Sequence, residues 1–311
     1  MADITAAMVK ELRTLTGAGV MACKNALVET DGNMDEAVEV LRKKGEATAV
    51  KKSGRIAAEG TSFAVVKDDK KAVVVEVNSE TDFVAKNEKF KTFVAQVADQ
   101  IIDSNAKDVE ELLAEQWKLD ASKTVKDELV SQIAVIGENM NIRRFAKIEA
   151  NDGIVASYIH MGGKIGTLVY AQTDVVNDDI KTALYNVAMQ VTALNPKFIT
   201  DEDVDQDYIN HEKEILLAQI QNDPKESQKP EKVIEGMIMG RIKKELKEVV
   251  LYDQAYFQAA DGKQTVAAYI DEVAKANGAN IKIKEFVRFE TGEGLEKKEE
   301  DFAAEVAKQM Q

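Results

Sequence analysis

The sequence predicts an α+β protein in which a helical N-terminal segment precedes two strand-and-helix units. Three observations carry this prediction: helical apolar spacing over residues 4–54, β-branched runs bounded by polar turns from residue 61 onward, and helical spacing again over residues 201–249. Because short polar turns join the runs, we expect antiparallel sheets. The expected parts are a three-helix domain at 1–54, core subdomains at 55–147 and 148–290, an inserted hairpin at 201–249, and a C-terminal helical module at 291–311.

The N-terminal segment predicts three short helices. Thr5 is placed to cap the first helix with its hydroxyl, and Gly17 is placed to end it. The second helix is expected over about residues 21–29. Asn33 begins the third in a capping-box pattern, and Gly45 is expected to end it.

The first strand-and-helix unit begins where the apolar period changes. Runs at 63–66 and 72–77 are rich in β-branched residues, and the polar stretch at 68–71 between them is typical of a hairpin. Apolar residues at helical spacing over 90–102 then predict an amphipathic helix. A continuous helical stretch is expected from Leu112 to Ile136.

The second unit repeats this plan. We expect a strand over 148–159, a second strand over 165–171 after a glycine turn, a helix over 184–191 and a last strand over 281–289. Both unit helices carry a Lys-Thr pair, at Lys91-Thr92 and at Lys181-Thr182. This weak repetition favours two related α+β units, and a duplication is one origin for them.

Residues 201–249 differ from both units because two apolar stripes at helical spacing flank a polar turn between Pro224 and Pro230. They predict a helical hairpin about 30 Å long, at about 1.5 Å per residue. Two interpretations stay open, a solvated coiled-coil arm or an arm that docks on a partner or a second copy. After the last strand, residues 291–311 predict a charged helix with one apolar side.

Composition excludes several classes of function. With 41 basic and 55 acidic residues the net charge is −14, which disfavours sequence-independent binding to nucleic acid. One cysteine, Cys23, and two histidines leave few candidates for a disulfide, a zinc site or a histidine-dependent triad. No apolar run approaches the roughly 20 residues of a membrane span. The start lacks the blocks of a signal peptide, so we expect a cytoplasmic protein without a metal.

One pattern offers an enzymatic alternative. Residues 17–22 match the dinucleotide-binding pattern G-x-G-x-x-G/A, which would suit a nucleotide-dependent oxidoreductase. That chemistry requires a strand before the first glycine, so that the following helix can direct its N-terminus at a pyrophosphate. Here a helix is expected before Gly17. A tight turn between helices is therefore the favoured interpretation.

Four sequence blocks resemble one family in order along nearly the whole chain. The string N-x-x-T-D-F-V-A-K-N at 78–87 closely resembles the signature of bacterial elongation factor Ts, the nucleotide exchange factor of elongation factor Tu. The other blocks are V-K-E-L-R-T-L-T-G-A-G-V-M-A-C-K-N-A-L at 9–27, I-G-E-N-M-N-I-R-R at 136–144, and F-V-R-F-E-T-G-E-G-L-E-K-K-E-E-D-F-A-A-E-V at 286–306. Such agreement is far more specific than any single motif.

The resemblance implies an architecture and an activity. It implies a ubiquitin-associated-like N-terminal domain, a core of two α+β subdomains, an inserted coiled-coil hairpin and a C-terminal module. It also implies a protein that is not an enzyme and carries no cofactor. Such a protein would bind elongation factor Tu loaded with GDP and Mg²⁺ and loosen the nucleotide. A homodimer or a 2:2 complex through the hairpin is left open.

The resemblance also assigns roles to residues. Phe83 would enter an apolar pocket of the partner as a wedge, Asp82 would disturb the structure that holds Mg²⁺, and Thr81 and Val84 would complete the motif. The further partner contacts that it implies are Lys24, Ile136, Gly137, His160 and Ile238. In place of the plain family pattern S-Y-x-H-G, Met161 follows His160 here.

Each of these residues also has an ordinary structural interpretation. Without the resemblance, Phe83 would be assigned to the core, because phenylalanine side chains are usually buried. His160 would be a surface or satisfied core residue, and Ile136 and Gly137 would be a core residue and a helix end. A general adaptor or holdase that clasps clients with the hairpin is a third functional alternative.

Overall fold

The computed structural model describes residues 3–296 as a mixture of helices and antiparallel sheets, which confirms the α+β class. The helices are α1 Ala6–Thr16, α2 Val20–Glu29, α3 Met34–Lys52, α4 Asp82–Ala85, α5 Glu88–Asp103, α6 Val109–Ala114, α7 Val125–Ile136, α8 Asp178–Leu194, α9 Gln206–Asn222, α10 Glu231–Val249 and α11 Val266–Asn277. The strands are β1 Glu59–Lys67, β2 Lys71–Ser79, β3 Gln116–Trp117, β4 Asp120–Thr124, β5 Met140–Glu149, β6 Gly153–His160, β7 Ile165–Thr173 and β8 Ile281–Glu290. The predicted C-terminal helix falls mainly on residues 297–311, which lie outside the described residues.

Helices α1, α2 and α3 form the N-terminal domain. The Thr5 hydroxyl accepts a hydrogen bond from the Met8 N–H at 3.3 Å and caps α1, as predicted. Gly17 ends α1 with a φ of +68°, a left-handed conformation that favours glycine. The side chains buried among the three helices are Leu12, Cys23, Ala26, Leu27 and Ala37.

The prediction that Gly45 ends the third helix is wrong. Helix α3 continues through Gly45 to Lys52, and Gly45 is buried where α3 packs on α7. A Cβ at this position would lie 3.6 Å from the Ala134 Cβ and 3.7 Å from a Val130 methyl. The glycine therefore lies at a close approach of two helices and joins the N-terminal domain to the first unit.

The first unit is built on a sheet with the order β1-β2-β5. Strands β1 and β2 form the predicted hairpin, and Asp68 and Asp69 take positive φ values in its turn. Helix α5 lies on the outer face of the sheet, as its apolar period predicted. Their shared core includes Val75, Phe90 and Phe93.

The predicted continuous helix from Leu112 to Ile136 is wrong. Helix α6 ends at Ala114, and the small hairpin of β3 and β4 separates it from α7. Helix α7 begins afresh at a capping box, in which Thr124 and Asp127 each accept a hydrogen bond from the other's backbone N–H. Trp117 on β3 is buried against Phe93, so this hairpin completes the first core.

The second unit is built on a sheet with the order β6-β7-β8, covered by α8 and α11. The single strand predicted over 148–159 is wrong, because β5 ends at Glu149 in the first sheet and β6 begins at Gly153 in the second. The turn between these strands carries the chain from one sheet to the other.

The two sheets pack face to face, so the core has four layers with helices outside and sheets inside. The inter-sheet cluster is made of small and branched side chains: Ala64, Ala72, Val74, Ile148, Ala150, Val155 and Leu168. Beside it, the buried hydroxyls of Ser62 and Thr291 share a hydrogen bond of 2.9 Å. This contact joins β1 to the turn after β8.

The two units have the same internal order, which supports the duplication that the Lys-Thr pairs indicated. Each has a hairpin, a helix, a long connection, and a last strand beside the second strand of the hairpin. A shift of register falls between Glu76 and Val77 in β2 and between Tyr170 and Ala171 in β7. These positions correspond in strands of equal length.

A buried glutamine also recurs in the unit helices, at Gln100 and at Gln190. Each side-chain amide donates to a backbone carbonyl and accepts from the backbone N–H two residues later. Gln100 donates to the Gln116 carbonyl and accepts from the Lys118 N–H. Gln190 donates to the Ala255 carbonyl and accepts from the Phe257 N–H. In each unit this segment lies ahead of the last helix and last strand. The correspondence therefore extends to individual side-chain contacts.

Helices α9 and α10 form the predicted hairpin within the second unit. Ile220 and Ile242 are buried between the helices, and Arg241 forms an ion pair with Glu226 at 2.7 Å. The hairpin enters and leaves at neighbouring points, because a parallel bridge joins Phe198 to Val250. The first unit has only a short connection with α6 at the corresponding place.

Candidate functional site: an exposed aromatic loop on the first unit

The site begins where β2 ends and the chain turns into α4. The Ser79 hydroxyl donates to the Thr81 carbonyl at 3.1 Å, and Thr81 caps α4 through a hydrogen bond from the Val84 N–H at 3.3 Å. Thr81 is in extended backbone, as a residue before a helix usually is. These local contacts fold residues 81–86, here called the aromatic loop, into one helical turn beside β1 and β2.

The single turn of α4 separates two apolar side chains. Val84 is half-buried and packs against the first core. Phe83 is 82% exposed, the highest exposure among the large apolar side chains of the described residues. An exposed phenyl ring on an ordered loop is unusual, since burial of phenylalanine is favourable by about 1.5–3 kcal/mol. The core assignment that general burial trends favour for Phe83 is therefore wrong.

Asp82 carries a negative charge beside the exposed ring. Its carboxylate accepts a hydrogen bond from the Lys86 ammonium at 2.6 Å. That hydrogen bond lowers the pKa of Asp82 below its usual value, and the positive charges of Lys86 and Lys164 act in the same direction. Asp82 therefore stays ionised at neutral pH.

A second segment, residues 137–139, holds the base of the aromatic loop. Gly137 ends α7 with a φ of +89°, which turns the chain so that Glu138 faces the loop. The Glu138 carboxylate accepts hydrogen bonds from the Glu80 N–H at 3.1 Å, and from the Thr81 N–H at 3.1 Å and hydroxyl at 2.7 Å. In return, Glu80 accepts from the Asn139 N–H at 2.6 Å. The structure thus brings the predicted residues at 81–84 and 136–137 together.

The linker after the N-terminal domain also reaches these two segments. The Lys52 ammonium donates to the Gly137 carbonyl at 2.6 Å, and Arg55 lies 3.4 Å from the Glu80 carboxylate. The Asn139 side chain donates to the Arg55 carbonyl at 2.8 Å. The base of the aromatic loop is therefore also the point where the N-terminal domain joins the core.

His160 and Met161 lie at the turn between β6 and β7. His160 Nδ1 and the Tyr158 hydroxyl are 3.0 Å apart and share a hydrogen bond. Met161 takes a φ of +47° and is 74% exposed, so it projects from the turn. The turn rests on β1, because the Ser62 N–H donates to the Gly163 carbonyl at 2.7 Å. Since α4 also lies beside β1, the two exposed features flank the same strand.

The two remaining predicted contacts lie on other elements. Lys24 is exposed on α2, and Ile238 is half-buried on α10 of the hairpin. The predicted partner contacts are thus distributed over the N-terminal domain, both core units and the hairpin. Such an arrangement suits a large partner that spans several elements.

The described residues show neither a dinucleotide-binding turn at Gly17 nor a cluster of metal ligands. Helix α1 precedes Gly17, so the oxidoreductase alternative is wrong because the pattern lacks its strand. Within residues 3–296 no group of three or more His, Cys, Asp or Glu side chains could hold a metal ion. An open groove of about 810 Å³ lies between β7, α11 and the start of β8, and none of the predicted site residues lines it. No helix of this part combines the length and apolar character needed to cross a membrane.

Three charged residues at the site were missed by sequence analysis. They are Glu80, Glu138 and Lys164. Glu138 lies in the I-G-E-N block at 136–139, but the local sequence does not indicate which loop its carboxylate faces. Lys164 approaches Asp82 only through the packing of the two sheets, which the sequence pattern did not indicate.

Comparisons with known proteins agree with this architecture. The profile of the family described as Elongation factor TS matches residues 80–293. A protein named Elongation factor Ts from Clostridium perfringens (strain 13 / Type A) is 51% identical over 306 residues, covering 98% of each chain. A protein of the same name from Clostridium botulinum (strain Eklund 17B / Type B) is 50% identical and covers 99% of each chain. Another from Trichlorobacter lovleyi is also 50% identical, over 98% of this chain and 97% of the relative.

The fold and the site define a two-unit α+β protein that carries an exposed aromatic loop on a four-layer core. By its family profile and its full-length relatives, the chain belongs to the elongation factor Ts family. It is accordingly a translation elongation factor that acts in protein biosynthesis, and not an enzyme in the usual sense.

Proposed function

We propose that the chain is a guanine-nucleotide exchange factor that binds elongation factor Tu in its GDP form and promotes release of GDP. Membership of the elongation factor Ts family supports elongation factor Tu as the partner. The observation that carries the mechanism is that Phe83 is 82% exposed on a loop whose base is held by hydrogen bonds. A ring held in this way is available to enter an apolar pocket of another protein.

Exchange of this kind is a coupling between two binding equilibria. If the factor weakens the binding of GDP by a given ratio, GDP weakens the binding of the factor by the same ratio. A hundredfold weakening corresponds to about 2.7 kcal/mol. Burial of one phenylalanine side chain is worth about 1.5–3 kcal/mol, so insertion of Phe83 is of the size required.

Asp82 supplies the electrostatic part of the proposal. Phe83 would enter an apolar pocket of the partner, and the ionised Asp82 beside it would disturb the structure that holds Mg²⁺. The lowered pKa of Asp82 keeps this charge present throughout the neutral range. The chain needs no cofactor of its own for this activity, because GDP and Mg²⁺ both belong to the partner.

The first test is release of fluorescent GDP from elongation factor Tu with the Phe83→Ala variant. We expect the maximal release rate to fall by about tenfold or more. The substitution removes the about 1.5–3 kcal/mol that burial of the Phe83 side chain is worth, and about 1.4 kcal/mol corresponds to a factor of ten. The fold should be unaffected, because the Phe83 ring contributes little to the core.

Phe257→Ala is the matched control. Phe257 is also an exposed phenylalanine, 45% accessible, but it lies on the second unit away from the aromatic loop. We expect its rate of GDP release to equal that of the unsubstituted chain. Full exchange activity in Phe83→Ala, together with unchanged binding to the partner, would defeat the assignment of the ring as a wedge.

We propose that the hairpin of α9 and α10 is a further contact surface of the exchange factor. The exposed apolar side chains of the hairpin include Leu217, Val233 and Met239, which offer a surface to elongation factor Tu or to a second copy of the chain. Sedimentation of the chain alone and with its partner distinguishes a homodimer, a 1:1 complex and a 2:2 complex.

We infer that the protein works in the cytoplasm, where translation takes place.

A further inference from the structure

We infer that Glu138 is a positioning residue for exchange, because it fixes the base of the aromatic loop and thereby holds Phe83 outward before the partner arrives. This inference rests on the proposed function of Phe83 as a wedge. Glu138 lies in the segment after α7 and does not belong to the loop that it holds. Its role would be exerted through Phe83, not through contact with nucleotide.

The first observation is the number of hydrogen bonds that one carboxylate accepts. Glu138 binds the N–H groups of Glu80 and Thr81 and the hydroxyl of Thr81, at 2.7–3.1 Å. The groups that it binds lie immediately before α4, so they set the direction in which the helical turn begins. Hydrogen bonds to an ionised acceptor are stronger than those between neutral groups. Glu138 therefore restrains the loop at the point where its orientation is decided.

The second observation is that Thr81 is held from both sides. Its hydroxyl accepts from the Val84 N–H and donates to Glu138 at 2.7 Å. Because the hydroxyl has one proton to donate, donation to Glu138 leaves its lone pairs directed at the helix. The Glu138 carboxylate thus also orients the cap of α4.

The third observation comes from the second unit, which serves as an internal comparison. There Gly278 ends α11 in the left-handed conformation, as Gly137 ends α7, and Asn280 donates its N–H to the Asp174 carboxylate as Asn139 does to Glu80. Between the corresponding glycine and asparagine, Ala279 occupies the position of Glu138.

The second unit also lacks the aromatic loop. Its connection from the end of β7 at Thr173 to the helix cap Asn177 is shorter than the connection from Ser79 to Asn87 in the first unit, and it contains no one-turn helix. The contact between asparagine and an acidic residue is present in both units, whereas the extra carboxylate is present only beside the aromatic loop. The comparison links Glu138 to the loop and not to the stability of the shared fold.

A free loop would make exchange less efficient, because only a fraction of the molecules would present the ring in the competent orientation. The apparent strength of an interaction falls in proportion to the population of the competent state. Removal of Glu138 should therefore lower the maximal rate of GDP release, while the contacts of the other elements keep the partner bound.

The test uses a readout of loop order that does not depend on exchange. Cys23 is fully buried, so in a Phe83→Cys variant a nitroxide spin label attaches selectively at position 83. We expect the electron paramagnetic resonance spectrum to show greater mobility of the label when Glu138→Ala is added. Asp174→Ala, which removes the second-unit counterpart of Glu80, is the control and should leave the mobility unchanged.

Exchange kinetics test the functional part. With the native Phe83, Glu138→Ala should lower the maximal rate of GDP release about tenfold, with less than about a threefold change in the concentration of factor that gives half the maximal rate. Glu138→Gln keeps the length of the side chain but loses its charge, and should give an intermediate loss. Added to Phe83→Ala, the Glu138→Ala substitution should cause no further loss, because its effect passes through the ring.

Several outcomes separate this inference from the proposed function. Unchanged label mobility in a folded Glu138→Ala variant overturns the positioning role, as does an additive loss on the Phe83→Ala background. If Phe83→Ala alone leaves exchange intact, the proposed wedge fails while the mobility measurement still decides whether Glu138 orders the loop. Thermal unfolding of each variant shows whether a loss arises from misfolding instead.

Discussion

Glu76 is a carboxylate without access to solvent on the central strand of the first sheet. Burial alone would raise its pKa, but the hydrogen bonds from the Gly292 N–H, Asn78, Arg143 and Arg144 outweigh burial and lower the pKa below the usual 4.5. Arg143 lies 2.9 Å and Arg144 2.6 Å from the carboxylate. The cluster thus joins the first sheet to the turn after β8.

This cluster predicts a dependence of stability on pH. Because the pKa of Glu76 is lower in the folded chain, its stabilising contribution is complete above about 4.5 and is lost as pH falls through the depressed value. We expect Glu76→Gln to reduce the free energy of unfolding by about 3 kcal/mol at pH 7. The variant should also lose less stability than the unsubstituted chain between neutral and acidic pH.

Urea unfolding at pH 7 and at pH 3 checks both expectations. Glu80→Gln is the comparison variant. Glu80 is half-buried and its partner Arg55 is half-exposed, so this substitution should lower the free energy of unfolding by less than Glu76→Gln does. An equal loss of stability on acidification in the chain and in Glu76→Gln would contradict the assignment.

At the residue scale, the sequence predicted which residues form the aromatic loop but not how they are held. The orientation of Phe83 came only from resemblance, because burial trends favour the core for phenylalanine. The opposite orientations of Phe83 and Val84 follow from the single helical turn that Thr81 caps. Glu138 was out of reach because its role depends on the packing of α7 beside the end of β2.

At the scale of elements, Gly45 lies where α3 contacts α7. A glycine inside a helix is less favourable than alanine by about 1 kcal/mol, and a Cβ at position 45 would meet its neighbours at ordinary contact distances of 3.6 Å and 3.7 Å. We therefore expect Gly45→Ala to stabilise the protein by about 0.5–1 kcal/mol, as measured by thermal unfolding.

A larger side chain at the same position should act in the opposite direction. Gly45→Leu would force α3 away from Val130 and Ala134 and lower the melting temperature. Destabilisation by both substitutions would show that the two helices lie closer than the contacts of 3.6 Å and 3.7 Å at position 45 allow.

The elements that the sequence predicted correctly have strong periodicity and clear boundaries. The β1–β2 hairpin, α5, α8 and the two hairpin helices belong to this group. The errors arose where a short turn lay inside a continuing apolar pattern. The turn after Glu149 contains Asn151-Asp152-Gly153, a strong turn signal, but β-branched residues on both sides concealed the change of sheet.

Local signals were also present in the other missed region. Thr124 and Asp127 match a capping box, which indicates that a helix begins there, and the turn between β3 and β4 precedes it. The two-residue strand β3 is held by the burial of Trp117 against Phe93 and by the hydrogen bonds of the Gln100 side chain to Gln116 and Lys118. Such tertiary packing leaves no mark in the spacing of nearby residues.

For the whole molecule, the shared order of the two units predicts that the hairpin is dispensable for folding, because the first unit has no such hairpin. The two ends of the hairpin are held together at its base, where the Lys197 N–H donates to the Val249 carbonyl and the Leu251 N–H to the Phe198 carbonyl, both at 2.8 Å. We expect a variant in which a short Gly-Ser linker replaces residues 204–248 to fold. Its melting temperature should change by less than about 4 °C.

Near-ultraviolet circular dichroism and calorimetry check that expectation. Nucleotide release with the same variant then shows what the arm contributes to exchange. Loss of the folded core on removal of the hairpin would show that α9 and α10 are part of the second unit's folding nucleus and not an addition to it.

The exposure of Phe83 has a consequence for the behaviour of the protein at high concentration. An uncovered phenyl ring makes contact between two copies favourable, whereas the net charge of −14 makes copies repel each other. Repulsion between exposed charges reaches about 10 Å at 0.1 M salt and about 3 Å at 1 M. In concentrated solutions of the factor without its partner, the net interaction between copies should therefore change from repulsive to attractive as salt is added. Light scattering should show a smaller change for a variant without the Phe83 ring.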